Sequence, residues 1–366
     1  MYDVIVVGLG AMGSAAAYHL TKRGLSVLGV EQYSMAHALG SSHGETRLIR
    51  KAYFENSAYV PLLECSYELW NELEKETETS LLHQTGLAIF GAPSSPVLKG
   101  SLASSRLFKI PVTEHSHAES VQLFPQFEIP KDFISLVEPS GGYLEVENCV
   151  RAFCEASKNR GAELLFETRV KQWKSRGTRF EIETDIGHFS SRYGVFTAGA
   201  WTGDVLKSLS LPLKVHRVPQ FWFESKATQK EVCFAFDMPY GFMYGFPKIN
   251  GLQKVAAHIP GEIVFDPATV DRKISENDIS LTRQFVGDQL KKFQVDPVKS
   301  SVCMYTMTPD SHFILDVLPE KPNCVLAAGF SGHGFKFASS LGEVLTRLLL
   351  KDPLGYDINF LRLNRF

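Results

Sequence analysis

Residues 3–31 read DVIVVGLGAMGSAAAYHLTKRGLSVLGVE, and the order of residue types in this stretch decides the fold. Val4-Ile5-Val6-Val7 is a continuous β-branched run, the pattern of a strand buried on both faces. Gly8, Gly10 and Gly13 follow at GxGxxG spacing, then SAAAYHLTKR, a good helix former stopped by Gly24. A second strand is expected from Leu25 to Val30, ending at Glu31. Together these pieces make a βαβ unit. The glycines allow a tight turn, close approach of backbone to a pyrophosphate, and close helix–strand contact. The helix N-terminus then offers free N–H groups to phosphate. Glu31, 18 residues beyond Gly13, stands where an acid accepts the ribose hydroxyls of an adenosine. The segment reads as a dinucleotide site.

Working outward, Tyr59 to Glu76 has helical apolar spacing, and residues 81–145 hold short strand-like pieces such as GLAIFG and FISLVEP. A helix is expected around Cys149–Lys158, followed by GAELLFETRV, the alternating FEIETD and the run YGVFTAGAW. Residues 215–265 read as an antiparallel sheet (VPQFWFES, FMYGFP, QKVAAH). CVLAAGFSGHGFKF then gives a strand, a glycine-rich turn and a helix running to Leu350, closed by Asp352-Pro353. Nucleotide-like segments thus alternate with β-rich ones. The expected fold is a mixed α/β Rossmann domain from residues 1–80, 146–214 and 300–366, interleaved with an antiparallel β-sheet substrate domain from 81–145 and 215–299.

The composition narrows the function. The 366 residues are 44% apolar and 11% aromatic, enough for a dry core enclosing a large cofactor. With 38 basic and 40 acidic side chains, the net charge of −2 argues against a nucleic-acid surface. No apolar run approaches the ~20 residues needed to cross a bilayer, so no membrane partner is expected. Six cysteines without a CxxC pair suit a reducing compartment, and a cytoplasmic enzyme is expected. His115-Ser-His117 has metal-like spacing in a polar loop but no partner motif, and no metal is expected.

The fingerprint alone serves FAD or NAD, but two features favour FAD. VFTAGAW (Val195–Trp201) resembles the small-residue strand that closes the FAD site in glutathione-reductase-like flavoproteins, and Val170 falls where those proteins contact the adenine through backbone atoms. Only one fingerprint is present, whereas a flavoprotein reduced by NAD(P)H commonly needs a second. GSSHGETRLIRKAY (Gly40–Tyr53), YGFP (Tyr244–Pro247), CMYTMTPDSHFILD (Cys303–Asp316) and GFSGHGFKF (Gly329–Phe337) then closely resemble the family of monomeric sarcosine oxidase, N-methyl-tryptophan oxidase and pipecolate oxidase. The resemblance extends from the first strand to the terminal FLRLNRF.

That resemblance implies an FAD-dependent oxidase of a secondary (N-methyl or cyclic) α-amino acid. Hydride passes to the flavin, and O₂ then takes the electrons and leaves as H₂O₂. It implies FAD bound covalently through Cys303 to the flavin 8α-methyl, and a substrate carboxylate gripped by Arg50 and Lys336. It places Tyr244 and His258 in the substrate cavity, Lys254 in the reaction with oxygen, Arg47 beside the flavin ring and Tyr305 close to the cysteine. Ser42 stands where sarcosine oxidase has the first of two histidines, and His43 keeps the second; in this segment the chain looks more like pipecolate oxidase. Gly332 and Lys336, in the late glycine-rich turn, join Ser42 and His43 in the cofactor set, and a monomer is implied.

The residue types suit this chemistry. Arg50 can make a two-pronged contact with a carboxylate, and Lys336 adds a point charge. A lysine at a helix N-terminus faces an unfavourable dipole unless an anion is near. Two other readings stay open at this stage: an NAD-dependent dehydrogenase using the same fingerprint, and a flavin-bearing protein without turnover.

Overall fold

The structure, a computed structural model, describes residues 1–226 and 232–366. In the opening strand, Tyr2–Val7, the residues Val4, Ile5 and Val6 have no exposed surface, as a β-branched run in a covered parallel sheet requires. This strand pairs in parallel with Val27–Val30 on one side and His188–Phe196 on the other. The helix Ala11–Lys22 joins the first two strands. Its alanines are buried throughout and admit a close neighbour, the helix Ala338–Leu350. A Cβ at Gly342 would stand 2.6 Å from the Ala15 carbonyl carbon, so glycine is what lets these helices meet.

Around this unit lies a sheet of eight strands. Val170–Arg176, Arg179–Thr184, His188–Phe196, Tyr2–Val7, Val27–Val30 and Glu163–Leu165 follow one another, and Lys321–Ala328 with Ile314–Leu318 joins at His188–Phe196. The parallel part thus draws strands from the start, the middle and the end of the chain.

The second sheet has nine strands and a phenylalanine-rich core that includes Phe90, Phe127, Phe234 and Phe236. Among the described residues its pairings are antiparallel except one: Leu87–Gly91 runs parallel to Cys233–Met238, where an antiparallel sheet was expected. The strand Lys299–Met307, which carries Cys303, was grouped by sequence from residue 300 with the cofactor domain. It pairs instead along its whole length with Lys214–Glu224 in the second sheet, Val218 opposite Cys303. Its β-branched and apolar residues fit either sheet, and only long-range pairing chooses between them.

A small third sheet aligns Thr46–Ile49 antiparallel to Gly142–Glu145, with Leu82–His83 on the far side of the latter. It holds the arginine segment rigid. Among the described residues, no helix is long and apolar enough to cross a membrane.

Replacing Gly342 with alanine should force the two helices apart and destabilise the fold by about 1–3 kcal/mol. Thermal unfolding would show this as a lowered midpoint; an unchanged midpoint would mean the helix contact yields freely.

Candidate active site

The glycine turn is built as the fingerprint requires. Gly8 has φ +90°, and a side chain there would meet the Thr197 carbonyl oxygen at 2.7 Å. At Gly13 a Cβ would lie 1.8 Å from the Gly8 oxygen, so helix and strand touch through bare backbone. The Ala11 N–H at the start of the helix donates to Ser42 Oγ at 3.1 Å. Glu31 is buried at the end of the second strand, where its carboxylate accepts N–H groups of Leu9 (2.8 Å) and Tyr33 (3.1 Å).

From this turn an elongated cavity runs past Gly10, Glu31, Ser42, Val170 and Ala198 to Arg47, Cys303, Tyr305 and Gly332. Its lining includes the Gly8 and Gly10 turn and the buried Cys303. These residues could hold FAD, with Glu31 and Val170 available to the adenosine, the glycine turn to the pyrophosphate and Cys303 to the flavin. Gly332 has φ +80°, and a Cβ there would enter the Tyr305 ring at 2.4 Å, so its turn lies flat against that ring.

Cys303 is buried, and Arg47 Nη2 donates to its sulfur at 3.3 Å. Arg47 also donates to the carbonyls of Thr46 (2.8 Å) and Ser41 (3.0 Å), which fixes the guanidinium.

Arg47, Tyr305, Gly332 and Phe335 also line a second, smaller cavity of about 50 Å³, so the two spaces adjoin. Arg50, Lys336, Tyr244 and His258 all face into it. The two cations expected to grip a carboxylate are therefore brought together, one from the end of the Thr46–Ile49 strand and one from the late glycine-rich turn. The ring of Tyr53 packs against both, 4.8 Å from the Arg50 guanidinium carbon and 5.3 Å from Lys336 Nζ.

Neither cation is bare. Arg50 Nη2 donates to Glu55 at 2.7 and 3.0 Å, while its Nε has no hydrogen-bond partner among the described residues. Burial pushes the Glu55 carboxyl up, but Arg50, then His333 and Lys336, hold it below its ordinary value. Lys336 Nζ donates to the His333 carbonyl at 2.8 Å. Burial, and next the Arg50 charge, bring Lys336 down to about 7, against the pull of Glu55. His258 shares a 3.0 Å hydrogen bond with the Tyr305 hydroxyl, and burial lowers it to about 4, so it is neutral near pH 7.

Three expected site residues line neither cavity: Gly13, packed against Gly8 beneath the glycine turn, Lys254 and His43. Lys254 lines neither; its Nζ donates to the carbonyls of Gly44 (2.6 Å) and Thr46 (3.1 Å), and burial drives its pKa well below the lysine range. His43 is buried with Nδ1 3.4 Å from Ser301 Oγ, and its Nε2 has no partner among the described residues. Sequence reading missed Glu55, Phe54, Phe242 and His333. An acid five residues after Arg50, just beyond the end of that motif, was the available signal for Glu55. Phe242 carried none, because a phenylalanine on a strand reads as core.

Residues 3–348 match the model of the family described as FAD dependent oxidoreductase. The chain belongs to that FAD-dependent oxidoreductase family, and FAD is its cofactor. It is 38% identical over its whole length to 96% of monomeric sarcosine oxidase from Bacillus sp. (strain B-0618). To N-methyl-L-tryptophan oxidase of Yersinia pestis (strain Pestoides F) it is 32% identical, covering all of this chain and 99% of the other. The fold is shared with NikD, an unusual amino acid oxidase, at a TM-score of 0.88 and 22% identity, over 99% of this chain and 97% of that one.

A group near 7 that binds an anion only when protonated has a definite sign. Affinity of the holoenzyme for propanoate, read from the flavin absorbance, should be full below pH 7 and fall by about tenfold per pH unit above it. Lys336→Met should flatten the profile; a wild-type profile flat from pH 6 to 9 would show that no group titrating near 7 binds the carboxylate.

Proposed function

We propose that the protein oxidises a secondary α-amino acid, with sarcosine or a similarly small N-methyl or cyclic amino acid as substrate and O₂ as the final acceptor. One observation carries the reading: Arg50 and Lys336 face a single cavity that adjoins the cofactor cavity at Arg47 and Tyr305. The relatives named above, a sarcosine oxidase and an N-methyl-L-tryptophan oxidase, support it. Bound FAD supplies the two-electron acceptor and passes those electrons on to O₂.

The chain's own residues bind and orient. Arg50 and Lys336 take the carboxylate, which competes with Glu55 for the guanidinium. Pinning that end presents the carbon beside nitrogen to the neighbouring cavity, where proximity lowers the barrier. His258, neutral and held by Tyr305, lines the cavity beside Tyr244 as polar support for the amine. Cys303, with Arg47 on its sulfur, would hold FAD through a thioether. Lys254 serves the oxygen half from outside both cavities, by holding the Gly44 and Thr46 carbonyls of the segment that carries Arg47. We further assign residues 1–80, 146–214 and 300–366 to the cofactor part, with the strand Lys299–Met307 shared, and 81–145 with 215–299 to the substrate part. Six free thiols suit a reducing compartment, and we place the protein in the cytosol as a monomer.

Arg50→Ala should weaken sarcosine use by roughly 10–100-fold, from the ~1.5–3 kcal/mol of a charge-assisted bond, with the visible flavin spectrum preserved. Parallel loss of spectrum and turnover would count against the assignment. After acid precipitation, flavin should stay with the wild-type pellet and leave with the supernatant in Cys303→Ala; free flavin from the wild type would remove the tether.

A further inference from the structure

The small cavity has one wall that neither the cations nor the cofactor side accounts for. Phe54 and Phe242 stand side by side there, ring centroids 5.8 Å apart at 48°, and both are partly exposed, so they separate the cavity from solvent. Phe54 abuts the Arg50 guanidinium carbon at 4.4 Å, and Phe242 meets the His258 ring edge-on at 6.3 Å. The wall therefore spans from the carboxylate grip to the residue beside the amine.

This wall is supported from behind. Phe242 lies in the strand Gly241–Gly245, bonded on both sides, and its carbonyl accepts the His258 N–H at 2.7 Å. Phe54 follows a backbone held by the Glu138 carboxylate, which accepts the N–H groups of Lys51 (2.7 Å) and Ala52 (3.0 Å). Behind Phe54 runs the helix Pro96–Phe108; a Cβ at Gly100 would stand 2.9 Å from the Phe54 Cα, so the phenylalanine has no room to withdraw that way. The space, about 50 Å³, is far below the ~300–1,000 Å³ of pockets for drug-sized ligands.

We infer that Phe54 and Phe242 are the specificity-determining residues of this site, admitting a secondary amino acid whose α-substituent is hydrogen, methyl or a small ring and rejecting one with an aryl side chain. This rests on the functional reading above and narrows its substrate class. The rejection is steric: with the carboxylate pinned by Arg50, a large group on the α-carbon meets the Phe54 ring stacked on that arginine. Removing either ring should make room.

The test compares kcat/KM for sarcosine and for N-methyl-L-tryptophan, measured by peroxide release from the flavin-loaded enzyme. Wild type should favour sarcosine at least 100-fold. Phe54→Ala and Phe242→Ala should each reduce that ratio tenfold or more through a gain on N-methyl-L-tryptophan, which misfolding cannot produce. Phe54→Leu, close in volume, should keep most of the preference. A wild-type enzyme using both substrates equally would overturn the inference, as would variants whose ratio stays within twofold of wild type. Peroxide from no secondary amino acid at all would instead overturn the functional reading beneath it.

Discussion

Two positive charges buried side by side are the constraint around which the site is organised. Left alone, Arg50 and Lys336 would repel each other and lose their hydration, a combination that proteins avoid. Here the strain is distributed. Glu55 takes one guanidinium nitrogen, the His333 carbonyl takes the ammonium, and the Tyr53 ring offers its negative face to both. The compensation is incomplete, since Arg50 Nε is left without a partner and Lys336 sits at about 7. A site with this residual positive potential, next to a flavin cavity, is prepared for an anion.

The same tension explains the supporting contacts. Tyr53 shares a 2.6 Å hydrogen bond with His333 Nδ1, whose Nε2 lies 2.9 Å from the Ser311 carbonyl. Because a carbonyl only accepts, Nε2 carries the proton and Nδ1 accepts from the tyrosine hydroxyl. Burial lowers His333 to about 3, in keeping with a neutral ring. The spacer between the cations is therefore fixed in position as well as in charge.

The two cavities adjoin where a strand of the second sheet lines the space beside the first. Cys303 and Tyr305 belong to a strand of the second sheet yet face the cavity opened by the first. Arg272 reinforces the junction by donating to the carbonyls of Ala38, Leu39 and Val302. Lys254 shows the limit of reading a role from a matched position. The family resemblance implied its role, whereas the turning of its Nζ inward onto the Gly44 and Thr46 carbonyls depends on backbone far away in the chain.

The cofactor half was legible in the residue order because its physics is local. The conformation of Gly8, the approach of Gly13 to Gly8 and the acid closing the second strand all follow from neighbours within one βαβ unit, and the helices near Tyr59 and Cys149 follow from periodicity alone. The substrate half was legible only in part. Sequence motifs named Arg50 and Lys336, but that they share one wall of a small cavity, that Glu55 engages one of them, and that Phe54 meets Phe242 depend on contacts between segments distant in the chain. Coulomb forces and steric exclusion act over a few ångströms of space without regard to sequence separation, so these pairings exist only once both sheets have formed.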